Sequence, residues 1–191
     1  MSRTMSRTMS RTMSKRYPTA APTAPLVARE APGMPWSVSG GDLPDINVWL
    51  ALAVQEHPHH AAARAYWADV QAAGTSLWFC RMTMLGLVRL LCQPKVVGTG
   101  ALAPGAAWAA YQGFRGVRGV GLLAEPEGCD LQLHALLAQA PLPARLWTDA
   151  YLAALSRAAG LRLVTFDRDF HRFALERVLV LNNSDHNKET K

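Results

Sequence analysis

The sequence predicts an α/β fold with a mostly parallel sheet covered by helices on both faces. Three observations carry that prediction. Short stretches rich in Val, Leu and Phe alternate with longer alanine- and leucine-rich helical runs across residues 42–181, the pattern of parallel strands joined by helical crossovers. Helix-breaking and helix-starting residues stand at the junctions: Pro58, Gly74, Pro94, Pro104 and Gly160. Three acids, Asp45, Asp149 and Asp167, fall where strands end or helices begin, and open α/β sheets build their sites at strand ends.

The folded unit is expected to begin near Gly41 or Asp42, with a short strand ending at Asp45 and an apolar run over 48–53. Pro58 suits the first turn of a helix over 59–73, which Gly74 closes. Residues 76–80 carry Trp78 and Phe79 and predict a strand. Thr83 is a cap or first-turn residue for a helix over 84–92, ended by Pro94. Pro104 starts the next helix, through Tyr111, and Gly113, Gly116 and Gly119 follow it. A buried strand is expected over 120–123 and a helix over 130–140, which Pro141 and Pro143 break. A longer helix over 144–159 ends at Gly160, and strands over 161–165 and 178–181 complete the order.

Half of the 191 residues are hydrophobic and 18% are charged, which suits one domain with a core. The net charge of +6 suggests a nucleic-acid partner until its distribution is considered. Residues 1–41 hold six Lys or Arg against Glu30 alone, whereas residues 42–181 hold twelve against eleven Asp or Glu. Basicity therefore belongs mostly to the leader, which opens with MSRT three times and continues into a Pro/Ala-rich stretch. Segments of that composition are extended or disordered. Residues 1–41 thus read as a disordered or extended basic leader, 42–181 as the folded domain, and 182–191 as a polar tail. Cys80, Cys92 and Cys129 have no paired spacing and suit a reducing compartment. No run resembles a signal peptide or is long enough to span a bilayer, so the expected location is the cytoplasm.

The acids carry the chemistry. Asp45 follows Pro44 and precedes Asn47, so a strand-to-helix passage can aim both side chains into one cleft; Asn47 either orients the carboxylate or caps the helix. Asp149 lies early in the run LWTDAYLAAL, on or beside the face that meets the sheet. Helix-dipole electrostatics would explain it equally well in isolation. Asp167 follows the strand ending at Thr165, whose hydroxyl can bond a neighbouring carboxylate; Asp169 either joins the acids or caps the turn. Together the four acids suit a hard cation, magnesium or manganese. His57, His59 and His60 are a possible transition-metal cluster, with capping or surface roles the simpler explanation.

The stretches LPDINVWLALA (43–53), TMLGLVRLL (83–91), WTDAYLAAL (147–155) and LVTFDRDF (163–170) resemble PIN-domain ribonucleases, particularly VapC-type toxins of bacterial toxin–antitoxin pairs. The resemblance covers residues 42–181. It implies a three-layer α/β/α sandwich that hydrolyses phosphodiester bonds in single-stranded or loop RNA with Mg²⁺ or Mn²⁺. The family's first, third and fourth acids fall on Asp45, Asp149 and Asp167, with Asn47, Thr83 and Thr165 in support. Its second acid falls on Met84, whose thioether is a poor ligand for a hard cation; Asp169 or water then completes the shell. The resemblance also implies a cognate antitoxin and a homodimer.

With no strong basic surplus in 42–181, RNA affinity is expected from a local groove of arginines such as Arg81, Arg115 and Arg118, while Arg89, Arg168 and Arg172 are further phosphate contacts or solvated side chains. Trp78, Phe79 and Trp108 are candidates for base stacking, although the first two suit a packed strand. Leu50, Leu87, Leu90 and Leu91 are candidates for the antitoxin interface or for the ordinary core. The alternative function is a catalytically impaired PIN-like RNA-binding or regulatory protein, favoured by the missing second acid.

Overall fold

All described strand pairings are parallel. The computed structural model describes residues 40–138 and 141–182; the leader through residue 39 and the tail from residue 183 lie outside them. The strands are β1 (Asp42–Pro44), β2 (Leu77–Phe79), β3 (Val120–Leu122), β4 (Arg162–Thr165) and β5 (Val178–Val180), in the order β3-β2-β1-β4-β5. Parallel neighbours require crossovers, and these are α1 (Ile46–Ala53), α2 (His60–Ala72), α3 (Arg81–Leu91), α4 (Pro94–Val97), α5 (Pro104–Arg115), α6 (Cys129–Leu137) and α7 (Trp147–Ala159). Because the strands are parallel, their C-terminal ends share one edge, and β1 is central.

Side chains alternate across the sheet, and this divides the core. Leu43 and Leu163 point into a layer with Ala150, Leu152, Leu155, Phe170 and Phe173 from α7 and the chain after β4. Val164, Leu77 and Phe79 point into the opposite layer, against Val48, Trp49, Tyr66, Leu87 and Tyr111. Trp49 is fully buried and stacks on Phe79 at 3.7 Å, with Trp67 and Phe114 edge-on at 6.3 and 5.3 Å. Burial on both faces explains why β2 and the middle of β4, Leu163 and Val164, are apolar without polar alternation.

Local chemistry accounts for the element ends. Cys80 caps α3 in a capping box: the Thr83 hydroxyl accepts from the Cys80 amide at 3.0 Å and donates to the Cys80 carbonyl at 3.2 Å. Gly160 ends α7 at φ +64°, the left-handed conformation that glycine adopts most easily. The helix expected over 144–159 is a 3₁₀ turn, Ala144–Leu146, followed by α7, with Leu146 buried at the joint. Pro58 precedes α2 rather than entering its first turn, and Pro94 opens α4 rather than only stopping α3; a proline with φ already set for a helix suits a first position. Gly86 lets α3 approach α1, since a Cβ there would lie 2.5 Å from Ile46 Cδ1.

At the N-terminal edge of the sheet, Asp42 is buried in a polar cluster. Arg162 donates to both its oxygens at 2.8 and 2.7 Å, and the Tyr66 hydroxyl donates at 2.8 Å. Asp42 and Arg162 are register partners of β1 and β4, so the two central strands are tied where they enter the sheet.

Candidate active site

The site forms at the opposite edge, where β1 and β4 end. Asp45 is the N-cap of α1: its Oδ1 accepts from the Ile46 amide at 2.6 Å. Its Oδ2 accepts from Asn47 Nδ2 at 2.6 Å and from the Thr165 hydroxyl at 2.9 Å. Thr165, fully buried, also accepts from Asn47 Nδ2 and from the Asp167 amide, both at 3.0 Å. Asn47 Oδ1 accepts from the Phe166 amide at 3.2 Å. A single hydroxyl thus joins the end of β1 to the turn after β4, and Asn47 braces both. Asp167 in turn accepts from the Asp169 amide at 2.7 Å, beginning the 3₁₀ turn Arg168–Phe173.

Asp45 is only 8% exposed. Burial pushes its carboxyl up to about 6; the bonds from Thr165 and Ile46 oppose that rise, and the charges of Asp149 and Asp167 add to it. The N-terminus of α7 brings Asp149 to the same edge. Its carboxyl is also raised, first by burial and then by the charges of Asp167 and Asp169, with Arg145 and Arg172 holding it down. The three expected acids therefore feel one another's charge. Asp169 has different company: Arg145 Nη1 lies 3.2 Å from its Oδ2 and Arg172 Nη2 3.7 Å from the same oxygen.

Comparison with known proteins decides the family. The model of the PIN domain matches residues 43–176. Ribonuclease VapC41 of Mycobacterium tuberculosis is 41% identical over 134 residues, covering 68% of this chain and 90% of that protein. The chain belongs to the PIN-domain family. It is of the VapC type: Ribonuclease VapC38 of the same organism is 33% identical over 133 residues, covering 70% of this chain and 89% of its own. Two solved structures share the fold. One is M. tuberculosis VapC20, described as a Sarcin-Ricin loop cleaving toxin, with a TM-score of 0.53, 17% identity and coverage of 74% of this chain and all of that one. The other is VapBC2 from Rickettsia felis bound to a DNA fragment from their promoter, with a TM-score of 0.56, 11% identity and coverage of 74% and 98%.

Within this PIN domain, Met84 is 4% exposed and packs with the residues around Trp49, so its side chain belongs to the core. Thr83 works on the backbone of α3 through its capping box. The arginine groove expected from Arg81, Arg115 and Arg118 does not assemble. Arg81 opens α3 just beyond the C-terminal end of β2, whereas Arg115 and Arg118 precede β3 and lie at the other edge of the sheet. Leu50, Leu87 and Leu91 are buried in the core, which removes them from a surface for an antitoxin. Phe79 is core as well, and Trp78 covers Gly121, where a Cβ would lie 2.3 Å from its ring; Trp108 remains exposed beside Tyr111. The histidines organise the loop before α2: His60 Nδ1 lies 2.7 Å from the Ala51 carbonyl, and His59 stacks on Phe166 at 4.4 Å.

Sequence reasoning passed over Arg145, Glu125 and the Asp42–Tyr66–Arg162 cluster. Glu125 accepts from the Tyr151 hydroxyl at 2.6 Å in the loop after β3. Only the alignment of Asp42 with Arg162 at the starts of two apolar strands offered a signal, and it required the register. Among the described residues no three His, Cys, Asp or Glu side chains form a ready-made metal cage, and no helix is long and apolar enough to cross a membrane.

Proposed function

We propose that this PIN domain is a Mg²⁺- or Mn²⁺-dependent endoribonuclease that hydrolyses phosphodiester bonds in single-stranded or loop RNA, as the toxin of a toxin–antitoxin pair. The observation that carries the reading is the joining of Asp45, Asn47, Thr165 and Asp167 in one hydrogen-bonded unit, with the charge of Asp149 acting on it. Mutually repelling, partly desolvated carboxylates gain from a cation. Mg²⁺ commonly binds through one or two carboxylates with waters completing its octahedron, so the donor set fits without a closed cage. Asp45, Asp149 and Asp167 would hold the ion.

When bound, the ion supplies a water of lowered pKa and neutralises charge developing on the phosphate. The chain's own residues do the positioning. Thr165 and Asn47 lock Asp45 Oδ2 in one orientation, the Ile46 amide holds Oδ1, and Thr165 carries the Asp167 backbone with it. Asp149 comes from the first turn of a separate helix, α7, and its charge acts on Asp45. The relatedness to VapC41 and VapC38 supports RNA as substrate, and the fold shared with VapBC2 supports an antitoxin partner; a homodimer belongs to the same reading.

The test is cleavage of pooled structured and unstructured RNAs by the antitoxin-free chain with Mg²⁺, Mn²⁺ or chelator, alongside Asp149→Asn. Metal-dependent cleavage that the substitution abolishes is expected; no cleavage by the folded wild type would refute the nuclease. Met84 in the core supports one other reading, a catalytically impaired RNA-binding or regulatory PIN domain. RNA or antitoxin binding without cleavage would establish it.

A further inference from the structure

The domain's charge is nearly balanced, yet two cations converge beside its acids. Arg145 comes from the 3₁₀ turn that leads into α7, and Arg172 from the 3₁₀ turn after Asp167. Both reach the same oxygen of Asp169, at 3.2 and 3.7 Å, and Arg172 Nε also donates to the Asp169 carbonyl at 3.2 Å. The Asp169 amide is tied to Asp167, so the carboxylate that gathers the arginines is anchored to the candidate metal face. Two guanidinium groups meet at one carboxylate oxygen, and the same two cations also act on Asp149, so the positive charge of this edge is gathered beside the acids. The side chains of Arg145, Arg172 and Asp169 are 67%, 39% and 42% exposed.

We infer that Arg145 and Arg172 form a clamp for a backbone phosphate of single-stranded nucleic acid, kept assembled by Asp169 until the strand arrives. Exposed ion pairs contribute little stability, so the arginines can be exchanged at small cost. A phosphate offers them stronger, charge-assisted and bidentate bonds. The shared carboxylate oxygen marks where an anionic oxygen takes both guanidinia, beside the acids and separate from them. Asp169 is therefore the internal anion that an incoming phosphate displaces. The inference rests on the proposed nuclease reading for its biological setting, but it concerns binding alone.

The experiment is fluorescence anisotropy of a labelled single-stranded RNA with the full chain in chelator, across a salt series, for wild type, Arg145→Gln, Arg172→Gln, the double variant and Asp169→Asn. Arg64→Gln, on α2, serves as the charge-matched control for each single variant, and thermal unfolding confirms that each variant is folded. The double variant is expected to bind about tenfold more weakly and to flatten the log–log salt dependence by about 0.7, the share of the one single-strand phosphate contact that is lost. Asp169→Asn leaves both cations in place, so it is expected to bind as tightly as wild type or more tightly. The same oligonucleotide made as DNA should show the same arginine dependence, because the contact is to phosphate.

A salt slope in the double variant no flatter than in Arg64→Gln would overturn the clamp. So would weakened binding by Asp169→Asn, loss confined to RNA, or failure of the wild type to bind at low ionic strength. Binding with these dependences but no metal-dependent cleavage would leave the clamp standing and remove the nuclease. Cleavage with unchanged KM in the double variant would do the reverse.

Discussion

Replacing Asp45 by asparagine tests the electrostatics of the site without reference to any RNA. Burial first, then Asp149 and Asp167, raise the Asp45 carboxyl from 3.8 to about 6. At about 1.4 kcal/mol per pKa unit, the ionised carboxylate costs the metal-free folded state about 3 kcal/mol at neutral pH and above. The folded value lies above the unfolded one. The group's favourable contribution is therefore full below about pH 4 and is withdrawn as pH rises through about 6. Asparagine carries no charge at any of these pH values. Its amide meets donors from Asn47 and Thr165, a mismatch worth about 1 kcal/mol that does not change with pH. The stability of Asp45→Asn relative to wild type should therefore rise by about 3 kcal/mol between about pH 4 and pH 8. The assay is urea unfolding of both chains in chelator at several pH values. A difference that stays flat across that range, or falls, refutes the reasoning. Adding Mg²⁺ at high pH should stabilise wild type and leave the variant unchanged, because only a chain that binds the ion gains from it.

Thr165→Val keeps the shape but removes the hydroxyl shared by Asp45, Asn47 and Asp167; stability should fall by about 1–3 kcal/mol and RNA cleavage should fall sharply, with Thr165→Ser recovering most of it. Gly86→Ala sets a methyl group 2.5 Å from Ile46 Cδ1, so denaturant titration should show a loss of about 1–3 kcal/mol, and cleavage should drop because Ile46 adjoins Asp45. Asp42→Ala leaves Arg162 and the Tyr66 hydroxyl without their buried acceptor. It should cost about 2–3 kcal/mol in unfolding experiments, with cleavage per folded molecule unchanged, since the cluster lies at the far edge of the sheet.

The elements were legible because their causes are local. Gly160 ends α7, Pro104 starts α5, and the apolar stretches around Leu77 and Leu163 mark buried strands whatever lies beyond them. The acids were legible as types at strand ends, and the family as a set of short stretches in order. Their environment was not legible. Thr165 lies 120 residues from Asp45, and its part as the hydroxyl that joins Asp45 to Asp167 exists only because β1 and β4 are neighbours. Met84 could be aligned with an acidic position, but its place beside Trp49 follows from how α3 packs on α1.

Asp169 shows the same division. In the sequence it is one more acid two residues from Asp167, with nothing to separate a ligand from a turn cap. In the structure it holds Arg145 and Arg172, whose separation along the chain hides their meeting. The arginines grouped by charge divide the other way, since Arg81 lies at one edge of the sheet and Arg115 and Arg118 at the other. The sequence by itself determined the α/β class, the order of the elements and the acids available to the site, because propensity, capping and hydrophobic periodicity act over a few residues. Only the tertiary structure decided which of those acids are buried, which are paired and which face one another, because burial and charge interactions depend on distance in space rather than along the chain.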